Sequence, residues 1–183
     1  MTALIVIIAI IAIILIYFIS VYNSFVKLRN QAEESSAGID VHLKQRYDLI
    51  PNLVETVKGY AKHENETLEA VIKARNSAIN ATTMEAKDAA NNALSGTLKS
   101  LFALSESYPE LKANTNFLDL QKQLTEIEKG LLNARKYYNA IAKRLNEKVE
   151  MFPSNIVASM TGFKKLTYAE VEEAAKARVE VKF

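Results

Sequence analysis

Two histidines, His42 and His63, are the only imidazoles in the sequence, and they stand 21 residues apart. Neither lies in an H-E-x-x-H pattern, and His63-Glu64 is an isolated dipeptide. A closed metal site needs three or four ligands at set spacings, so both read as structural or solvent histidines and no metal is expected. The chain has no Cys, which excludes thiolate zinc, iron–sulfur ligation and a disulfide framework. Carboxylates are paired at Glu33-Glu34 and Glu172-Glu173, but both pairs sit in charged helical stretches where a solvated face accounts for them. Gly38, Gly59, Gly96, Gly130 and Gly162 are scattered singly through helical patterns, whereas phosphate loops and nucleophile elbows concentrate glycine between a strand and a helix. The expectation is a protein that is not an enzyme and holds no cofactor.

More informative are arginines on apolar stripes. Arg46 falls seven residues after Ile39 and four before Ile50; Arg75 falls seven after Leu68 and four before Ile79; Arg135 follows Leu131 by four and precedes Tyr138 by three. Helical spacing turns each toward the core, where an unpaired guanidinium costs several kcal/mol. Asp40, Asp48, Asp119 and Glu126 are the carboxylates available to them. Two readings follow: internal ion pairs that set helix register, or a cationic groove or subunit contact. Asp40, Lys44 and Asp48, four apart, read as an exposed pairing ladder.

The elements that must position these groups begin with an apolar segment. No charged side chain precedes Lys27, and from Leu4 to Val21 only Tyr17 and Ser20 are polar. About 20 helical residues span roughly 30 Å, the thickness of a bilayer's hydrocarbon. A signal peptide would carry a basic start and a small-residue cleavage site; bulky Tyr17-Phe18-Ile19-Ser20-Val21-Tyr22 closes this run instead. The segment therefore reads as a permanent transmembrane helix in contact with the lipid bilayer. Tyr17, Phe18 and Tyr22 are expected at the interface, with Lys27 and Arg29 beyond them among the headgroups. Cations follow the span and none of the side chains before it is charged, so the positive-inside rule favours a cytoplasmic body.

The chain divides on this reading into an anchor and interfacial segment over 1–26, a helical body over 27–178 and a tail over 179–183. Of 183 residues, 23 are Lys or Arg and 21 Asp or Glu, a net charge of +2; that balance argues against nucleic acid, whose partners carry a strong basic excess. With 5 Gly and 3 Pro the chain is suited to be helical nearly throughout. Ile39, Leu43, Tyr47, Ile50, Val54, Val57 and Ala61 form one stripe that keeps its phase across Pro51, which predicts a helix kinked there and not ended. A second helix is expected over 65–80 with Leu68, Val71, Ile72, Arg75 and Ile79 on one side. A third opens on a capping box of Thr82 and Glu85 and carries Met84, Leu94, Leu98 and Leu101. Phe117, Leu120, Leu124, Ile127, Leu131, Ala134, Tyr138, Ile141 and Leu145 alternate gaps of three and four, a coiled-coil-like heptad seam. A short helix capped by Ser154 ends near Gly162, and a last charged helix is expected from a Thr167–Glu170 capping box to about Arg178, followed by a strand-like or frayed end.

The stretch Ser36-Ala37-Gly38-Ile39-Asp40-Val41-His42-Leu43-Lys44-Gln45-Arg46-Tyr47-Asp48-Leu49-Ile50-Pro51-Asn52-Leu53-Val54-Glu55-Thr56-Val57-Lys58-Gly59-Tyr60-Ala61, with His63-Glu64 after it, closely resembles the signature of the LemA family of bacterial membrane proteins. Ala113-Asn114, Asn116-Phe117-Leu118, Ala134-Arg135, Tyr138-Asn139, Phe152-Pro153-Ser154-Asn155 and Gly162-Phe163 resemble its second block, and Tyr22-Asn23 extends the likeness to the span. Ser35-Ser36 and Leu145 depart from the family's frequent tryptophan and tyrosine. The resemblance implies a membrane anchor and an antiparallel bundle of long helices, an all-α protein, and implies no reaction. In that context Gly38, Asp40, Arg46, Tyr47, Pro51, Asn52, Asn116, Arg135, Tyr138, Asn139, Pro153 and Gly162 are the residues expected at register or assembly contacts. The function expected is a single-pass, non-enzymatic scaffold that forms a homo-oligomer and supports the membrane or a membrane-protein partner. The alternative is an adaptor or sensor for a signalling partner, with the body on the outer side.

Overall fold

The computed structural model describes residues 1–170, and among these it is helical without a strand. Helix α1 runs Thr2–Lys58, α2 Asn65–Ile79, α3 Met84–Ser105, the single turn α4 Pro109–Lys112, α5 Thr115–Glu150 and α6 Ser154–Thr161. An irregular stretch follows Gly162. The expected final helix, the tail over 179–183 and Glu172-Glu173 lie outside the described residues.

α1 continues through Pro51. The phase of the stripe explains why: Ile39, Leu43, Tyr47, Ile50, Leu53, Val54 and Val57 are all buried on one side, and that burial outweighs the one backbone bond the ring removes. In α2 the buried residues are Leu68, Val71 and Ala78, whereas Ile72 and Ile79, expected on the buried side, are exposed. α3 opens one residue later than the capping box suggested. Thr83, extended at φ −89° and ψ 158°, is the cap, and its hydroxyl accepts from the Ala86 amide at 3.2 Å. Asn114 does the same for α5, its side-chain oxygen accepting from the Phe117 amide at 2.9 Å. Along α5, Phe117, Leu124, Leu131, Tyr138 and Leu145 are buried at every seventh position, which is one row of the heptad seam. In the other row Leu120, Ile127 and Ala134 are half-buried and Ile141 is buried.

The chain forms two compact units. The first comprises Met1–Ser36 and Lys136–Tyr168. Here α1 near Ser24 and the end of α5 lie side by side, with Lys148 Nζ donating to the Ser24 hydroxyl, and α6 packs on α1 through Val157 and Ala158 against Val21 and Phe25. The second comprises Ala37–Arg135 with Ala169 and Glu170. Arg75 of α2 reaches Tyr47 of α1, Asp88 and Phe102 of α3 meet Arg135 and Phe117 of α5, and Arg46 of α1 meets Glu128. These pairings run α1 and α3 one way and α2 and α5 the other, an up-down-up-down bundle.

Ser154 is the first helical residue of α6 and does not cap it; its hydroxyl lies 2.7 and 2.9 Å from the carbonyls of Lys148 and Met151 and closes the end of α5. Gly162 ends α6 as expected, in the left-handed region at φ 77°, with Phe163 N–H donating to the Ala158 carbonyl at 3.1 Å. That six-to-one bond needs a residue free of the Cβ penalty at positive φ.

Candidate functional site

Within the second unit the stripes of α1, α3 and α5 are interrupted by polar residues that find one another. Arg46 is 2% exposed. Its Nε is 2.8 Å from Glu128 Oε1, its Nη2 donates to Ser95 Oγ at 2.7 Å, and its Nη1 lies 3.5 Å from Asn91 Oδ1. The Tyr47 hydroxyl lies 3.1 Å from Asn91 Oδ1 and accepts from Asn91 Nδ2 at 2.8 Å. Burial pushes the Tyr47 hydroxyl above its usual pKa of 10.0, with the Asn91 bond and the Arg46 charge pulling the other way. One helical turn earlier on α3, Asp88 accepts from Arg135 Nη2 at 2.8 Å and from the Glu170 amide at 2.7 Å. Desolvation raises the Asp88 carboxyl above 3.8, opposed first by that amide and then by Arg135.

This polar spine ties α1 to α3, α3 to α5 and α1 to α5 at fixed heights. Arg46 and Arg135 each meet a carboxylate, as an internal ion-pair reading requires, but the partners are Glu128 and Asp88 and not Asp40, Asp48, Asp119 or Glu126. Helix geometry gives the reason. Asp48 is two residues from Arg46, and Glu126 two from Glu128, about 200° round their helices. Arg75 pairs with no carboxylate in its main contact; its Nε donates to the Tyr47 carbonyl at 2.7 Å. Asp40 is held by Lys87 of α3 at 2.6 Å, so only Lys44–Asp48, at 2.7 Å, remains of the exposed ladder.

Asp88, Asn91, Ser95 and Glu128 carry the spine and were not singled out by sequence. The signal was present in part: Asp88 and Asn91 lie on the stripe that continues through Leu94, Leu98 and Leu101. Polar residues at stripe positions are the mark of a buried network.

The other sequence candidates fall elsewhere. Gly38 is half-buried with nothing within 4 Å of where a Cβ would stand. Pro51 and Asn52 are exposed, and the Asn52 carbonyl accepts from the Thr56 hydroxyl at 2.8 Å. Asn116 is exposed, its neighbour Asn114 being the cap. In the first unit, buried Tyr138 donates to the Thr167 carbonyl at 3.0 Å, Asn139 is half-buried, Pro153 is exposed and Gly162 closes α6. Among the described residues no group of His, Asp and Glu is arranged to hold a metal ion.

The interfacial set lies in the first unit. Over Leu4 to Ile19 of α1 each Leu, Ile and Val side chain is at least half exposed, and Phe18 is half-buried. α1 is the one helix among the described residues long and apolar enough to cross a membrane. Phe18 packs on the Val21–Phe25 cluster, Tyr17 and Tyr22 remain 39% and 41% exposed, and Lys27 is exposed. Phe163 stacks on Phe25 with centroids 4.9 Å apart and meets Tyr22 edge-on at 6.0 Å, while the Arg29 guanidinium lies 5.6 Å over the same ring.

The LemA family model matches residues 35–183, which takes in the whole α1–α3–α5 spine. The chain belongs to the LemA family. It is 25% identical over 171 residues to Protein LemA of Metamycoplasma hominis, covering 90% of this chain and 76% of that one. Similarity extends to Magnetosome protein MamQ 2 of Paramagnetospirillum magneticum, 23% identical over 179 residues, 84% of this chain and 66% of the relative. Magnetosome protein MamQ of Magnetospirillum gryphiswaldense is 23% identical over 173 residues, 80% and 64%. The chain thus spans about two thirds of the length of the MamQ relatives. As a LemA-type helical protein it combines the family's helical body with an apolar leading helix.

Proposed function

We propose that this LemA-family chain is a single-pass membrane protein whose body lies on the cytoplasmic side and assembles with copies of itself into a non-catalytic scaffold. The observation that carries the reading is the apolar surface of Leu4–Ile19, exposed at 51–68% for its Leu, Ile and Val side chains. Such a surface is untenable in water and ordinary in lipid. The same uninterrupted helix goes on to supply Ile39, Leu43, Arg46 and Tyr47 to the bundle, so the apolar run is continuous with a core element.

The cytoplasmic orientation is supported by Lys27 and Arg29, the first charges after the apolar run. Assembly is supported by confinement: tethering bundles in one plane raises their effective concentration, so weak lateral contacts suffice. The polar side chains of the spine, Arg46, Asn91 and Glu128 among them, are engaged in holding helices together.

Cross-linking in intact membranes tests this reading. A ladder at integer multiples of the chain is expected. A single heterologous band would replace the scaffold with the adaptor reading, and recovery in the soluble fraction would remove the anchor.

A further inference from the structure

The turn after α5 and the outer side of α6 expose Met151 at 62%, Phe152 at 79%, Ile156 at 51% and Met160 at 72%. Four large apolar side chains within ten residues form a patch and not the scattered exposure ordinary for a protein surface. α6 divides its faces cleanly. Val157 and Ala158 are buried against Val21 and Phe25, while Ile156 and Met160, four apart, share the opposite side.

The place where α6 docks decides what covers that side. Val21 stands two residues beyond Ile19, the last large aliphatic of the exposed run, about 3 Å along the helix axis. Phe18, on the final turn of the run, itself packs on the α6 cluster. A medium that covers Ile16 and Ile19 therefore reaches the neighbouring helix as well. Charge agrees with this placement. In the first unit eight Lys and Arg side chains face four carboxylates, although the whole chain nets only +2. Two of those cations are already set against aromatic rings at the same level: Arg29 lies 5.6 Å over Phe163, and Lys148 lies 5.8 Å over Phe25. Cations stacked over aromatics beside an apolar face are suited to the headgroup layer.

We propose that Met151-Phe152 and the Ile156–Met160 face of α6 insert into the headgroup–acyl boundary of the leaflet that α1 leaves, giving the protein a second contact with an anionic lipid surface. The proposal rests on the anchor reading above and deepens it: the body is held at the bilayer by a collar as well as by a tether. Such a contact is in-plane, shallow and driven by apolar area plus attraction to anionic lipid.

Because the chain has no Cys, single cysteines can carry an environment-sensitive fluorophore. Full-length Phe152→Cys, Met160→Cys, Ile10→Cys and Tyr137→Cys proteins would be labelled and reconstituted in vesicles of phosphatidylcholine and phosphatidylglycerol. Ile10 reports the span, and Tyr137, 59% exposed in the same unit, reports water. The expected result is strong quenching by brominated lipid and several-fold weaker quenching by aqueous iodide at 152 and 160 than at 137. Lipid quenching at 10 with iodide quenching at 152 and 160 would overturn the collar and leave the anchor standing. Protection of 152 and 160 from both quenchers would overturn it in favour of a second copy covering the face. Iodide quenching at 10 would remove the anchor, and the collar with it.

Discussion

Removing one side of the Asp88–Arg135 pair is the most discriminating perturbation of the polar spine. The two side chains are 7% and 8% exposed, with Arg135 Nη2 2.8 Å from Asp88 Oδ1, and the Arg135 Nε has no hydrogen-bond partner among the described residues. Asp88→Ala strands a guanidinium that cannot shed its proton in the fold. Breaking a buried pair in this way costs about 3–5 kcal/mol. At about 2–4 °C per kcal/mol for a chain of this size, the melting temperature should fall by roughly 6–20 °C. Arg135→Met strands a carboxyl instead, and a carboxyl can take up a proton. Burial already raises Asp88 above 3.8, so this variant should lose less than Asp88→Ala, and its deficit should shrink as the pH is lowered toward 5. Asp88→Leu/Arg135→Met, which removes both charges, should recover most of the loss, because apolar replacement of a buried pair is close to neutral. Thermal melts of the full-length protein in lipid nanodiscs, followed by far-ultraviolet circular dichroism, give all four corners of the cycle when the Asp88→Leu single variant is melted beside wild type, Arg135→Met and the double variant. Single variants that each cost under about 1 kcal/mol and add without coupling would refute the idea that this pair locks α3 against α5.

Gly130 lies against His42, and a Cβ there would stand 2.6 Å from the imidazole Cε1, whereas Gly38 has open space. Gly130→Ala should therefore destabilise by about 1 kcal/mol and be rescued by His42→Ala, while Gly38→Ala should be neutral or stabilise by about 0.5–1 kcal/mol; urea melts read both. Because burial raises the Tyr47 hydroxyl above 10.0, the neutral form is the one the fold favours, so its contribution is complete below pH 10 and lost as the pH climbs past its folded value. The stability advantage of wild type over Tyr47→Phe should close at alkaline pH, and absorbance titration at 295 nm should show one late tyrosine missing from the variant. Thr83→Ala should cost about 1 kcal/mol as a lost N-cap and Thr82→Ala almost nothing, a comparison made by chemical denaturation.

The long helices were legible because burial repeats with the helical period: the α1 stripe and the every-seventh row Phe117, Leu124, Leu131, Tyr138, Leu145 were read directly from spacing. The apolar span was legible for the same kind of reason, a run with no charge before Lys27. The positions of buried arginines were legible too, since Arg46 and Arg135 sit in phase with their stripes. Their partners were not. Glu128 and Asp88 are 82 and 47 residues away along the chain, and nothing local distinguishes them from the other carboxylates until the helices are placed side by side. Caps slipped by a residue for a related reason: Thr82 and Thr83 have the same chemistry, and the choice of Thr83 is made by its extended backbone. At α6 the serine expected to cap the helix is instead its first helical residue, and its hydroxyl turns back to the carbonyls of Lys148 and Met151 at the end of α5. The apolar outer side of α6 went unread because eight residues are too few for a periodic signal.

Copies of this chain are proposed to associate while α1 anchors them in lipid. Counting photobleaching steps of a singly labelled protein, extracted with its native lipid in polymer-bounded nanodiscs, tests this association most directly. Most particles are expected to bleach in two or more steps, with label and lipid in the same particle. Particles that bleach once only, at expression levels spanning the native one, would contradict it.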